Sequence, residues 1–167
     1  MRTNYLENGT LAFALLIVGV MAGFFYTYTF NVNLAMLEVN GETYATVQSL
    51  FNVNVRHPAF FVFFFGGGAA AIIAILANIQ HYKTVPFWLI ATAGFLYIFG
   101  IIVFTHQVNL PLNYETESWN PQALPQHWMQ VRDSWNQANA LRVLFAGLSF
   151  ALYIIALVMR TSKKVID

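Results

Sequence analysis

Apolar residues fall in four continuous runs, about 10–37, 58–79, 85–108 and 136–159, with polar stretches between them. The runs do not alternate apolar with polar, so they read as helices rather than strands. Each is long enough to cross the hydrocarbon core, which takes about 20 apolar residues. An open sheet edge could not survive there, because its backbone groups would find no partner in lipid. The fourth run follows a polar segment and Pro125, a residue suited to a first helical turn, which predicts one long helix over about 126–160. The pattern therefore predicts an all-α, integral membrane four-helix bundle, with one domain over 1–167. Two long loops, about 38–57 and 109–125, are expected at one end, and a short turn at 80–84 at the other. The first loop, "EVNGETYATVQSLFNVNVRH", predicts an interfacial helix around 42–53, and Pro111 predicts an end to the third span. The first apolar run exceeds a signal-peptide core of about 7–15 residues, so it is expected to be retained. Small residues at Gly19 and Gly23, Gly66 to Ala71, and Ala146, Gly147 and Ala151 are expected to let helices approach closely.

Composition sharpens this picture. The chain is 58% hydrophobic and only 9% charged, whereas soluble domains carry roughly a quarter charged residues. A net charge of +1 with no basic run gives no footing for nucleic acid. The absence of cysteine excludes disulfides, thiolate metal sites and thiol nucleophiles. Arg2, Lys83, Arg160, Lys163 and Lys164 fall on one predicted side. Arg56 and Arg132 fall on the other, among Glu38, Glu42, Glu115, Glu117 and Asp133. Basic residues favour the cytoplasmic face, so both termini are expected there and the long loops outside.

The candidate chemistry gathers at the outward end. Trp128, Arg132, Trp135, Asn139 and Arg142 are spaced 4, 3, 4 and 3, which places them on one helical face. An arginine at the bilayer centre costs ~2.5–3.5 kcal/mol on insertion scales, so Arg142 is expected to face the bundle interior. Partners at that end are His106, Asn109 and Asn113 on the third span, Thr27 and Asn31 on the first, and Gln48, Asn52, Arg56 and His57 in the loop. Glu38 is a candidate counter-ion for Arg142. The expected site is a polar pocket opening outward over an apolar floor, and polar residues within membrane helices are functional candidates. His57, His106 and His127 share that end, and imidazole suits copper, iron or zinc. No close His spacing supports such a centre or a haem site, so no cofactor is predicted. The serines lack a nucleophile elbow.

Four segments carry a family resemblance: "AGFFYTYTFNV" in the first helix, "TVQSLFNVNVRHPAFFVFFFG" leading into the second, "FTHQVNLPLN" ending the third and "WNQANALR" opening the fourth. In this order, over about 20–150, the chain resembles the anthrone-oxygenase-like membrane proteins, short four-helix proteins mostly without an assigned activity. Characterised fungal members oxidise anthrones to anthraquinones with molecular oxygen. The resemblance implies a base, for which His106 or His57 is available. It further implies oxyanion donors at Arg142, Asn113 and Asn139, and aromatic walls at Trp128 and Trp135. Arg132, Asn109, Gln48, Asn52 and Asn31 complete the expected substrate surface. Two other readings stand beside an oxidoreductase acting on an anthrone- or quinone-like molecule. One is a non-catalytic binder of quinone or lipid, or an accessory subunit of a larger membrane complex or homo-oligomer. The other is a histidine-ligated copper, iron or haem protein.

Overall fold

The structure, a computed structural model, describes residues 5–162. Five helices account for most of these: α1 (Tyr5–Leu37), α2 (Gly41–Asn54), α3 (Pro58–Ala77), α4 (Val85–Glu117) and α5 (Trp128–Ser162). All but α2 are long and apolar enough to span a membrane, and no strand occurs among the described residues. The chain is a membrane protein built as an all-α, four-span bundle, as its apolar pattern predicts. Of the basic residues used to orient it, Arg2, Lys163 and Lys164 lie outside the described residues.

Local sequence sets where the helices start. Asn40 caps α2 by accepting the Thr43 N–H at 2.9 Å. His57 precedes Pro58 and accepts the Phe60 N–H through Nδ1 at 3.4 Å, opening α3. In the bundle, α1 packs on α3 and α5, and α4 packs on the same two helices from the opposite side. The middle of the ring is an apolar layer of Leu11, Val18, Met21, Ile90 and Ala146, all fully or almost fully buried. Tyr97 crosses this layer and donates its hydroxyl to the Phe64 carbonyl at 3.0 Å. Gly67 makes room for it: a Cβ there would lie 2.4 Å from the Tyr97 ring. Gly67→Ala is expected to cost about 1–3 kcal/mol by overpacking, read as an earlier thermal unfolding transition in detergent.

Three expectations need correction. Pro111 does not end the third span, which runs on to Glu117, so the loop expected at about 109–125 shrinks to 118–127. The reason is a widened π turn at Thr105–Asn109, where the Leu110 N–H bonds to the Thr105 carbonyl five residues back. That change of register lets a proline follow without breaking the helix. Second, the small residues do not all serve internal packing. Gly19 meets Phe150, and Gly68 meets Ile102, but Gly23 and Gly147 face open space.

The third correction concerns polarity, since the end of the bundle away from the loops is not purely apolar. Glu7, 3% exposed, accepts hydrogen bonds from Gln80 at 2.9 Å and pairs with His81 at 3.0 Å and with Arg160. Arg160 also donates to Asn8 at 2.8 Å. This cluster ties the start of α1, the α3–α4 turn and the end of α5 together.

Candidate functional site

A second polar layer crosses the opposite end of the bundle, and four of the five helices, all but α3, contribute to it. It begins on α2, where Gln48 donates to Asn52 at 2.9 Å and Asn52 donates to Thr116 of α4 at 2.9 Å. One turn back on α4, Asn113 accepts the indole N–H of Trp135 from α5 at 2.6 Å. A turn further along α5, Asn139 donates to Thr29 of α1 at 2.6 Å and reaches the Phe25 carbonyl at 3.4 Å. The Asn139 carbonyl oxygen accepts Nη2 of Arg142 at 2.6 Å, and Nη1 lies 3.5 Å from the Thr105 hydroxyl of α4. Tyr28 of α1 donates to Gln48 at 3.4 Å, and its ring lies 5.1 Å from Trp135.

Several of these groups border a pocket of about 130 Å³. Its polar wall is Asn52, Asn113, Asn139, Thr105 and Arg142, and its apolar wall is Tyr28, Trp135, Phe60, Phe64 and Leu110. Phe24, Phe51, Phe61 and Phe65, all substantially exposed, form the rim. Two arginines reach this pocket, and their surroundings differ. Arg56 makes a two-pronged pair with Glu117 and lies over the Tyr114 ring, so its charge is answered. Arg142 is 8% exposed, and among the described residues no carboxylate lies within ion-pair distance of it. Its guanidinium sits 4.7 Å from the Phe25 ring centre and 5.7 Å from that of Trp135, and its Nε has no partner. Aromatic faces and one neutral amide offset only part of the cost of burying a cation. A pocket wall of this kind is preorganised for an anion.

The model of the anthrone oxygenase family matches residues 58–152, more than half of the chain. The chain belongs to the anthrone oxygenase family. No curated protein and no solved structure matches it. The matched segment holds α3, α4 and most of α5, and with them Asn113, Trp135, Asn139 and Arg142. Tyr28 and Thr29 of α1, and Gln48 and Asn52 of α2, lie outside the match but complete the polar layer beside the pocket.

Several expected site residues stand elsewhere. The helical stripe divides: Trp135, Asn139 and Arg142 reach the pocket, whereas Trp128 and Arg132 dock α2 against α5. Trp128 lies against Gly41 and 5.8 Å from the Tyr44 ring, and Arg132 stacks over Trp128 at 5.2 Å while pairing with Asp133. Burial pushes the Tyr44 hydroxyl well above the usual tyrosine range, so it stays neutral. Asn31 is exposed, and so is Thr27. A π turn at Tyr28–Val32 turns Tyr28 and Thr29 inward in their place. Glu38 is also exposed and does not meet Arg142. Gln48 is buried behind the wall and positions Asn52 rather than lining the pocket.

The three histidines do not converge. His57 is an exposed helix cap, His127 pairs with Glu115 at 2.9 Å, and His106 is exposed on α4 facing an adjoining groove. Among the described residues no group of three His, Cys, Asp or Glu could hold a metal ion. The pocket lining itself contains neither imidazole nor carboxylate.

Asn109 is 1% exposed, and neither atom of its amide has a partner. It lies in the π turn but not on the pocket wall. A buried amide left unpaired costs about 1–3 kcal/mol. Asn109→Leu is therefore expected to raise the thermal midpoint by about 2–4 °C per kcal/mol recovered, without changing ligand affinity. A fall in midpoint would show that Asn109 makes a hydrogen bond in the membrane-embedded protein.

Proposed function

We propose that this chain is a membrane oxidoreductase of the oxygenase type, which binds a hydrophobic aromatic substrate as its enolate or phenolate. The observation that carries the reading is the buried guanidinium of Arg142, without a carboxylate partner, on the wall of an aromatic pocket. An anthrone fits this chemistry. Loss of a methylene proton yields an enolate whose negative charge rests mainly on oxygen. The Arg142 guanidinium lowers the free energy of that anion and raises its population at neutral pH. The electron-rich carbon then reacts with dioxygen, one oxygen atom remains as the new carbonyl and the other leaves as water. The sum is anthrone plus dioxygen to anthraquinone plus water.

The pocket supplies the anion's stabilisation rather than a base, since no imidazole or carboxylate lines it. The substrate's acidity is high enough for water or a groove-side group to take the proton once the anion is stabilised. Asn139 and Thr105 hold the guanidinium, and Trp135, anchored on Asn113, walls one side. The excess of basic residues at the termini end favours a cytoplasmic side for that end, with the pocket end outside.

Purified protein in lipid nanodiscs should consume dioxygen with 1,8-dihydroxyanthrone in a one-to-one ratio and form the quinone faster than empty nanodiscs do. Binding of the hydroxyanthrone without added oxygen uptake would remove the catalytic step. It would leave a second reading, a carrier of phenols or quinols, which the lack of a base in the pocket favours.

A further inference from the structure

Among the described residues, the pocket wall carries three ionisable side chains, Arg56, Arg142 and Tyr28. Arg56 is paired with Glu117, and a guanidinium keeps its proton at any physiological pH. The Tyr28 hydroxyl is therefore the wall group able to give up a proton and take it back. Tyr28 and Arg142 stand against the same indole: the Tyr28 ring lies 5.1 Å from that of Trp135, and the guanidinium 5.7 Å from it. The π turn that begins at Tyr28 brings it there, and such turns recur at functional sites.

The hydrogen bonds behind Tyr28 run in one sense. Its hydroxyl donates to Gln48 at 3.4 Å, Gln48 donates to Asn52, Asn52 to Thr116, and Thr116 to the Asn113 carbonyl, each of the last three at 2.9 Å. Among the described residues nothing donates to the Tyr28 oxygen, so its lone pairs are left for a ligand. Its own bond to Gln48 is the longest of the chain. The hydroxyl gives up little by turning to a charged acceptor, to which a hydrogen bond is roughly twice as strong.

Resting on the reading of the pocket as an oxygenation site, we infer that Tyr28 is the catalytic residue that carries the proton of the peroxide step. The enolate carbon gives an electron pair to dioxygen, and the new C–O bond leaves the negative charge on the outer oxygen. The ring oxygen is then a neutral carbonyl again. Tyr28 donates its proton to the outer oxygen, and the Arg142 guanidinium offsets the charge left on the phenolate. That phenolate takes the remaining proton from the same carbon. The C–H pair becomes the second bond of the new carbonyl, the O–O bond breaks, and hydroxide leaves. Hydroxide and the proton released on forming the enolate make the water.

The experiment uses the full chain in nanodiscs with 1,8-dihydroxyanthrone. Tyr28→Phe should bind the anthrone without oxygen as the native protein does, with KM within about twofold. Its kcat should fall about 10²-fold, the usual worth of a positioned proton carrier. Acid-quenched samples should then hold an adduct heavier than the anthrone by one dioxygen, which a merely structural role would not produce. Tyr28→His should recover part of the rate and bend the pH profile in the ordinary histidine range, about 6–7. Native oxygen uptake with an unchanged rate in Tyr28→Phe overturns the role of Tyr28 and leaves the oxygenase reading intact. Loss of anthrone binding in Tyr28→Phe, without the adduct, overturns it too and makes Tyr28 a wall alone. Absence of oxygen uptake by the native protein strikes the oxygenase reading and the role of Tyr28 together.

Discussion

Arg142→Gln is expected to lower kcat/KM for a hydroxyanthrone by about 10²–10³-fold, the usual loss when a preorganised donor to a developing oxyanion is removed. Glutamine keeps a neutral donor near Asn139, so the change isolates the charge. Arg142→Lys should fall between the two, because an ammonium retains the charge but not the planar fork that engages Asn139 and Thr105 together. Stability is expected to move the other way. The guanidinium is buried among Phe25, Trp135 and an amide, with an unpartnered Nε and no carboxylate among the described residues within ion-pair distance. Neutralising such a cation relieves desolvation that the fold does not compensate. Arg142→Gln should therefore unfold at the same temperature as the native protein or higher. A residue kept at a cost in stability points to function, since selection for folding alone would remove it. Oxygen uptake and thermal unfolding measured on one preparation decide the matter. Unchanged turnover with a large drop in unfolding temperature would make Arg142 a structural strut.

The sequence exposed this arginine because its signal is one of contradiction. A charge at the edge of an apolar run, on the same face as Trp135 and Asn139, must point away from lipid. Asn113 was legible for a similar reason, as a polar residue near the end of a span. Other parts of the site carried no such contradiction. In "YTYTFNV" tyrosine and threonine alternate, so polar atoms occur on every face and spacing cannot choose among them. The choice of Tyr28 and Thr29 over Thr27 and Asn31 is made by a π turn, a change of register that leaves no mark in hydropathy. The same cause moved His106 out of the site. Thr105 and His106 are adjacent, and the π turn around Asn109 sends the first towards Arg142 and the second to the groove. The Arg56–Glu117 pair joins residues 61 positions apart, and the expected loop at 109–125 hid it by leaving Glu117 outside the third span.

Arg160→Ala is expected to destabilise the protein by about 3–5 kcal/mol, the usual consequence of removing one partner from a buried ion pair. Its carboxylate partner, Glu7, has a side chain only 4% exposed, and the arginine's own is 13% exposed, so water screens the pair weakly. The three elements joined here are distant in sequence: the first turn of α1, the turn carrying Gln80 and His81, and the last turn of α5. Losing the guanidinium removes one charge partner from a carboxylate held out of water, to which Gln80 and His81 remain bonded, and it releases Asn8 as well. At roughly 2–4 °C per kcal/mol for a chain of this size, the unfolding midpoint should fall by roughly 6–20 °C. Glu7→Leu combined with Arg160→Leu should restore much of the loss, because apolar residues replacing both charges remove the desolvation cost along with the attraction. Ligand binding at the far end of the bundle should be retained in the folded fraction of each variant. The apolar layer of Leu11, Val18, Met21 and Ile90 separates the two polar clusters. Loss of phenolate binding in Arg160→Ala protein that remains folded would show instead that the clamp sets the spacing of α1 and α5 at the pocket, where Thr29 meets Asn139.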